Sequence, residues 1–301
     1  MKKWIDAARL RTLPLSLSGI FLGTLLAIKE NKFDWIIFLL ACLTTLFLQI
    51  LSNYANDYGD GIKGTDDTRK GEKRAVASGE ITAHAMKNAV KLTAVLSILS
   101  AIGLLVYAYI PDYWEWFLVY IGLGAASVWA AINYTVGENA YGYRAMGDIF
   151  VFIFFGIVAV FGTYMLYTKS FNPLILYPAS AIGLLSMAVL NLNNMRDLLQ
   201  DKHAGKKTIP IIIGFLYAKN YHGFLLFTPF VLGVMYVLNQ EITHLFNYLF
   251  LILLIPAIAL MWRVGITHEY EKLDSELKKT ALLTLFFAIF FGLGFLIPHW
   301  I

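Results

Sequence analysis

The sequence predicts an all-α fold: a polytopic membrane bundle of nine transmembrane helices, built as one domain over residues 1–301. Three observations predict it. Hydrophobic residues make up 58% of the chain and charged ones only 15%, well outside the balance of a soluble globular domain. Apolar runs of the roughly 20 residues that a helix needs to cross about 30 Å of hydrocarbon recur along the whole length. Lys and Arg fall almost entirely on alternate connecting segments.

The spans are expected near 12–29, 34–55, 85–110, 113–133, 148–168, 173–194, 211–238, 244–263 and 280–299. The first follows Lys2, Lys3, Arg9 and Arg11 and is succeeded directly by further spans, so it reads as a retained helix and not as a cleaved signal. The second, "FDWIIFLLACLTTLFLQILS", carries no charge after its first Asp and runs into "NYANDYGDGIKGTDD". Cys42 inside it is a small core residue, and a single cysteine excludes a disulfide framework. Spans three and four are joined by "YIPDYWEW", and the segment before span five carries "AYGYRAMGD". Span six runs into a second polar cluster, "NLNNMRDLLQDKHAGKKTIP". Spans seven and eight are joined by "LNQEITH", and a polar stretch over 264–279 precedes span nine.

When Lys and Arg are assigned to alternating sides of the spans, the side of the N-terminus and the 2–3, 4–5, 6–7 and 8–9 loops receives all but three of the 24, the exceptions being Lys29, Lys32 and Lys169. The positive-inside rule therefore places the N-terminus and both Asp-rich loops, about 53–83 and 191–210, in the cytoplasm of a cell whose (inner) membrane the chain crosses. The formal net charge of +4 is a topology signal and does not point to nucleic acid. The matched positions of the two clusters, after span two and after span six, predict two four-helix halves plus one appended helix.

Each cluster gathers oxygen donors on one face. At 100° per residue Asn53, Asn56, Asp57 and Asp60 share an arc of about 100° if span two stays helical to Asp60, and Asn193, Asn194, Asp197 and Asp201 share a similar one. Gly59, Gly61 and Gly64 are expected to loosen or end the first helix. Carboxylates at the edge of hydrocarbon are costly, so a cation must pair with them. The donors are all oxygen, which selects Mg²⁺ over Zn²⁺, and His203 is expected to be a surface or loop residue and not a ligand. Mg²⁺ held by one or two carboxylates completes its shell with substrate phosphate. Interleaved Lys63, Arg69, Lys70, Lys73 and Arg74 in one loop, and Arg196, Lys202, Lys206 and Lys207 in the other, fit a phosphorylated substrate. A polyprenyl diphosphate meets both demands, with its head at the clusters and its tail in the bilayer.

These residues resemble the UbiA-type superfamily of intramembrane prenyltransferases, which have nine transmembrane helices and two Asp-rich motifs. The first motif, N-D-x-x-D-x-x-x-D, is matched at Asn56, Asp57 and Asp60. Its last Asp falls on Gly64, where Asp66 or Asp67 is the available substitute. The second, D-x-x-x-D, is met by Asp197 and Asp201. Over nearly the whole chain the resemblance is to the menaquinone-pathway, 1,4-dihydroxy-2-naphthoate branch, through "ARLRTLPLSLSGI", "NYANDYGDGIKGTDD", "AYGYRAMGDIFVFIFFGIVAVFGTY" and "NNMRDLLQDKHAGKKT". The Tyr-x-x-x-Lys signature of many other members is missing, and Tyr141 and Arg144 stand near its place.

The resemblance implies transfer of a polyprenyl group to 1,4-dihydroxy-2-naphthoate with loss of CO₂ and pyrophosphate. Asp57, Asp60, Asp197 and Asp201 would hold Mg²⁺ against the diphosphate, with Asn53, Asn56 and Asn193 orienting ligands. Lys63, Arg69, Arg74, Arg144 and Lys206 would neutralise pyrophosphate. Tyr54, Tyr134, Tyr141, Tyr143, Phe150 and Phe154 are the candidate ring faces for an allylic cation, and Arg11 or Arg144 the candidate for the acceptor carboxylate. Two alternatives are a 4-hydroxybenzoate or homogentisate enzyme of the same superfamily and, from another class, a cation-coupled transporter.

Overall fold

A computed structural model describes residues 1–65 and 74–299. Among them nine helices are long and apolar enough to cross a membrane: Lys2–Lys29, Trp35–Ile62, Ala83–Tyr109, Trp114–Asn133, Gly147–Thr168, Pro173–Arg196, Phe215–Leu238, Leu245–Ile266 and Tyr270–Leu296, here spans one to nine. The chain is a multi-pass membrane protein.

Local chemistry sets the ends. Asp34 Oδ1 accepts from the amides of Ile36 and Ile37 at 2.7 and 3.1 Å and starts span two. Thr82 Oγ1 accepts from Ala85 at 3.2 Å and starts span three. Asn172 caps the turn that opens span six. Span one is broken at Arg9, whose φ of 50° turns the helix Lys2–Ala8 away from the longer helix Leu13–Lys29. Span nine begins some ten residues earlier than expected. The charged stretch before residue 280 is helical because Glu276 accepts from Arg263 and Lys279, and Thr280 bonds back to the Glu276 carbonyl.

Neighbouring spans pack in chain order except four and five, which meet through side chains such as Tyr120 OH on the Gly162 carbonyl, and span nine returns against span one; spans one and five, two and four, and six and nine also pack together. The principal core runs mainly through spans one and five to nine, with Phe230, Phe250, Phe287 and Phe291 fully or almost fully buried. A smaller core under the first Asp cluster joins Ala7 and Ala8 to Leu51, Ala55, Ala75 and Ile81.

Spans five and six cross at backbone distance. A Cβ on Gly156 would lie 2.7 Å from the Gly183 Cα and 2.7 Å from the Ala179 carbonyl oxygen. This is the small-residue contact that lets membrane helices approach closely, and it falls in a π-helical stretch, Phe152–Gly162, of span five. Gly156→Ala is expected to destabilise the protein by ~1–3 kcal/mol through overpacking. Gly103→Ala, at a helical site where an added Cβ meets nothing within 4 Å, should be neutral or stabilising. Melting of the two variants in detergent checks the contrast.

Candidate active site

Span two has 28 residues and is therefore about 42 Å long, about 12 Å more than the hydrocarbon requires. The first cluster occupies its last turns, and the helix is unbroken through Asp60. Gly59 and Gly61 do not loosen it. They admit close neighbours, since a Cβ on Gly59 would lie 2.6 Å from Thr135 Oγ1 and one on Gly61 2.6 Å from Val76 Cγ1. Only Gly64, with φ of 70°, takes the left-handed turn past the helix end. Span six ends at Arg196, and Asp197 joins it to a short helix, Leu198–His203. The second cluster is thus bent and not one continuous helix.

The two clusters meet around one ammonium group. Lys206 Nζ lies 3.3 Å from Asp60 Oδ2 and 3.3 Å from Asp201 Oδ1, with both carboxylates buried. Tyr143 OH donates to Asp60 Oδ1 at 2.7 Å, which leaves Thr65 Oγ1, 2.8 Å away, to donate to the tyrosine oxygen. The Tyr143 ring is flanked by Lys63 Nζ at 4.2 Å and Lys206 Nζ at 4.9 Å from its centroid. Gln200 Nε2 donates to the Thr65 carbonyl at 3.1 Å and ties the clusters together a second time. The 4–5 loop forms the third wall. Lys63 Nζ donates to the carbonyls of Thr135 and Gly137 at 2.7 and 2.8 Å, and the backbone of Tyr143–Ala145 pairs with Lys207.

Asp197 takes both of its oxygens to the preceding Arg196, at 2.7 and 2.8 Å, and that guanidinium also reaches Asn193 Oδ1 and Asp274 Oδ1. Burial pushes the Asp201 carboxyl up to about 6; the charges of Asp197 and Asp60 add to this and Lys206 opposes it. Desolvation, with Lys206 adding to it, holds the Lys63 ammonium below its ordinary range, while Asp60 acts the other way. The Tyr134 phenol is held well above its ordinary value by burial first, then by Asp201, Tyr141, Asp60 and Asp148.

Several expected residues make other contacts. Asp57, expected to bind metal, is 1% exposed and gives both oxygens to backbone, Oδ2 to Ala75 N and Oδ1 to Val76 N at 3.0 Å each. Asn53 donates to the Ala8 carbonyl at 2.9 Å and Tyr54 to that of Trp4 at 3.1 Å, so both hold the N-terminal helix. Asn56 Oδ1 accepts from Thr135 at 3.3 Å. Tyr141 donates to the Ala130 carbonyl and stacks on Phe150 at 4.0 Å, with Trp129, Tyr134 and Phe154 extending the aromatic group. Arg144 is exposed and bonded to Asn139 of its own loop. Arg11 is exposed in the turn Leu10–Thr12, and Arg74 is buried beside Ala75. His203 is exposed, as expected. Asp66, Asp67, Arg69, Lys70 and Lys73 lie outside the described residues. The sequence suggests Arg196 as one of several basic residues for a phosphorylated substrate and Tyr143 as a ring face, not as the partners of Asp197 and Asp60 that they are. Their signal was position alone: one adjoins a motif Asp, and the other precedes Arg144.

Among the described residues no three carboxylate, imidazole or thiol groups stand together as a complete metal cage. The residues nonetheless fit Mg²⁺: a cation already bridges Asp60 and Asp201, and this metal commonly takes one or two carboxylates with the rest of its shell from water and substrate phosphate.

An all-helical membrane bundle with a buried carboxylate–lysine centre at one end is the class that fold and site define. The chain matches the model of the UbiA prenyltransferase family over residues 16–290. It is 39% identical to 1,4-dihydroxy-2-naphthoate octaprenyltransferase of Haemophilus influenzae and 38% identical to that of Escherichia coli, covering 99% of this chain and 96% of the relative in each case. Its fold is shared with a UbiA homolog from Archaeoglobus fulgidus solved with GPP and Mg²⁺, at a TM-score of 0.68 and 16% identity over 98% of this chain and 99% of that one. The chain belongs to the UbiA prenyltransferase family.

Proposed function

We propose that the protein transfers a polyprenyl group from polyprenyl diphosphate to 1,4-dihydroxy-2-naphthoate, releasing CO₂ and pyrophosphate and giving demethylmenaquinol for menaquinone biosynthesis. The observation that carries the reading is the shared Lys206 ammonium. Carboxylates from two segments some 140 residues apart in sequence converge on one cation, which is the arrangement a diphosphate-bridging metal requires. The printed names of the near full-length bacterial relatives supply the acceptor.

Asp60 and Asp201, with Asp197 beside them, would hold Mg²⁺, whose charge favours departure of pyrophosphate. Lys206 and Lys63 supply fixed positive charge where the leaving group gains negative charge. Tyr143 orients the Asp60 carboxylate. Asp57 fixes the returning loop at Ala75 and Val76. The aromatic group of Trp129, Tyr134, Tyr141, Phe150 and Phe154 gives the allylic cation a water-poor wall with ring faces. We place the site on the cytoplasmic face of the cell membrane, on the strength of the Lys and Arg asymmetry.

Purified protein supplied with a prenyl diphosphate, Mg²⁺ and an acceptor panel tests the reading. The expected product is prenylated, decarboxylated naphthoquinol. Transfer to 4-hydroxybenzoate or homogentisate in preference to the naphthoate would overturn the acceptor assignment, and cation flux in proteoliposomes without any prenyl transfer would overturn the enzyme reading altogether.

A further inference from the structure

Most of the buried carboxylates have cationic partners. Asp60 and Asp201 share Lys206, Asp197 has Arg196, and Glu276 has Arg263 and Lys279; Asp57 has two backbone amides. Asp148 differs. It is 6% exposed in the first turn of span five, and the side-chain contact to its carboxylate is a phenol, Tyr221 OH donating to Oδ1 at 3.1 Å from span seven. The helix start gives partial compensation. Even so, a buried carboxylate whose donors among the described residues are neutral, the Tyr221 phenol and its own backbone amide, is costly, and in a membrane bundle that cost marks function.

Its surroundings place it beneath the metal-binding carboxylates. The adjacent Gly147 is where a Cβ would come 3.2 Å from Tyr134 Cε2, 3.5 Å from Tyr134 OH and 3.3 Å from Leu190 Cδ2. Leu190 lies on the same face of span six as Asn194 and Asp197, and seven residues before Asp197, so about 10 Å down the helix axis. Tyr134 packs edge-on against Tyr141 at 5.3 Å between ring centroids and lies against Gly142 and Gly147, beside the aromatic group of the site. Asn194 is buried on that same face. Tyr134 and Leu190 thus close over the backbone of Gly147, and an aromatic acceptor lying below the diphosphate would meet Asp148 beside them with a polar edge toward its carboxylate.

We propose that Asp148, positioned by Tyr221, binds a ring hydroxyl of the aromatic acceptor and holds its proton during transfer; this rests on the naphthoate reading above. As the ring carbon bearing the carboxylate bonds to the prenyl C1, the C1–O bond breaks and its electron pair leaves with pyrophosphate. The O–H pair flows into the ring, leaving a keto oxygen, and the proton passes to Asp148. Loss of CO₂ then returns the carboxylate C–C pair to the ring, and Asp148 returns the proton to the oxygen. No external oxidant or reductant is needed.

The test uses the full-length protein, geranyl diphosphate, Mg²⁺, and two acceptors: 1,4-dihydroxy-2-naphthoate and its mono-O-methyl ethers. Asp148→Asn should lower kcat on the dihydroxy acceptor about 10²-fold or more, leave the KM for geranyl diphosphate within about twofold, and erase the wild-type preference for hydroxyl over ether. Tyr221→Phe should raise the acceptor KM severalfold with a smaller effect on kcat. Wild-type turnover by Asp148→Asn, or a retained preference for hydroxyl over ether, overturns the proposal. So does a parallel loss of diphosphate affinity, which would mark Asp148 as structural. If the wild-type protein itself fails to prenylate the naphthoate, the functional reading fails first, and the two failures are distinct.

Discussion

Asp60→Asn is expected to cut prenyl transfer by about 10²–10³-fold while leaving the melting temperature at or above that of the wild type. Asp60 is 2% exposed and shares one ammonium with Asp201, so among the described residues two buried carboxylates form their salt bridges to the same cation. Without substrate and metal this is an unfavourable arrangement, since like charges in a desolvated site repel and each carries its own desolvation cost. Neutralising one relieves the repulsion, and the amide still accepts from Tyr143. Turnover, however, loses a carboxylate that the metal requires. Chelation of Mg²⁺ from the wild type should reproduce the loss, and chelation should cost the variant little more. Turnover and melting measured on the same preparation decide the matter: wild-type turnover in Asp60→Asn would remove it from the metal site, and a melting point lower by several degrees would make it a structural residue.

The two Asp-rich segments and the nine spans were legible because both signals are local. Apolar length defines a span, and i, i+4 spacing puts Asn56 and Asp60, or Asn193 and Asp197, on one face of a helix. What each side chain touches was not local. Asp57 and Asp60 look equivalent in sequence, yet one faces the returning backbone at Ala75 and Val76 and the other faces Lys206. That difference depends on where the chain comes back after residue 65. In sequence Lys206 and Arg196 read alike, as basic residues fit for a phosphorylated substrate. Only the fold puts one between two carboxylates and the other across Asp197, Asn193 and Asp274. Asp148 escaped notice for the same reason: a single Asp before an apolar run reads as a helix-start residue, and its burial against Tyr221 is a contact across 73 residues of sequence. Tyr141 and Arg144 were singled out by their place in the chain, whereas the neighbouring Tyr143 is the one whose hydroxyl meets the site.

Asp57→Ala is expected to fail differently from Asp60→Asn, through stability and loop position. Both of its oxygens are committed to buried backbone, and hydrogen bonds to a charged group contribute about 1.5–3 kcal/mol each, so the loss should reach about 3–5 kcal/mol. The amides of Ala75 and Val76 would lose their acceptors, and the segment that begins at the buried Arg74 would leave the end of span two. Limited proteolysis should then cut between spans two and three faster than in the wild type. Activity should fall mainly through a raised KM for the prenyl diphosphate, because the metal-facing pair of Asp60 and Asp201 is intact and the displaced loop carries basic residues. Asp57→Asn, which keeps one acceptor oxygen, should lie between the two in melting and in KM. The opposite pattern, an unchanged melting point with Mg²⁺ dependence lost, would return Asp57 to the metal and leave Ala75 and Val76 held by other means.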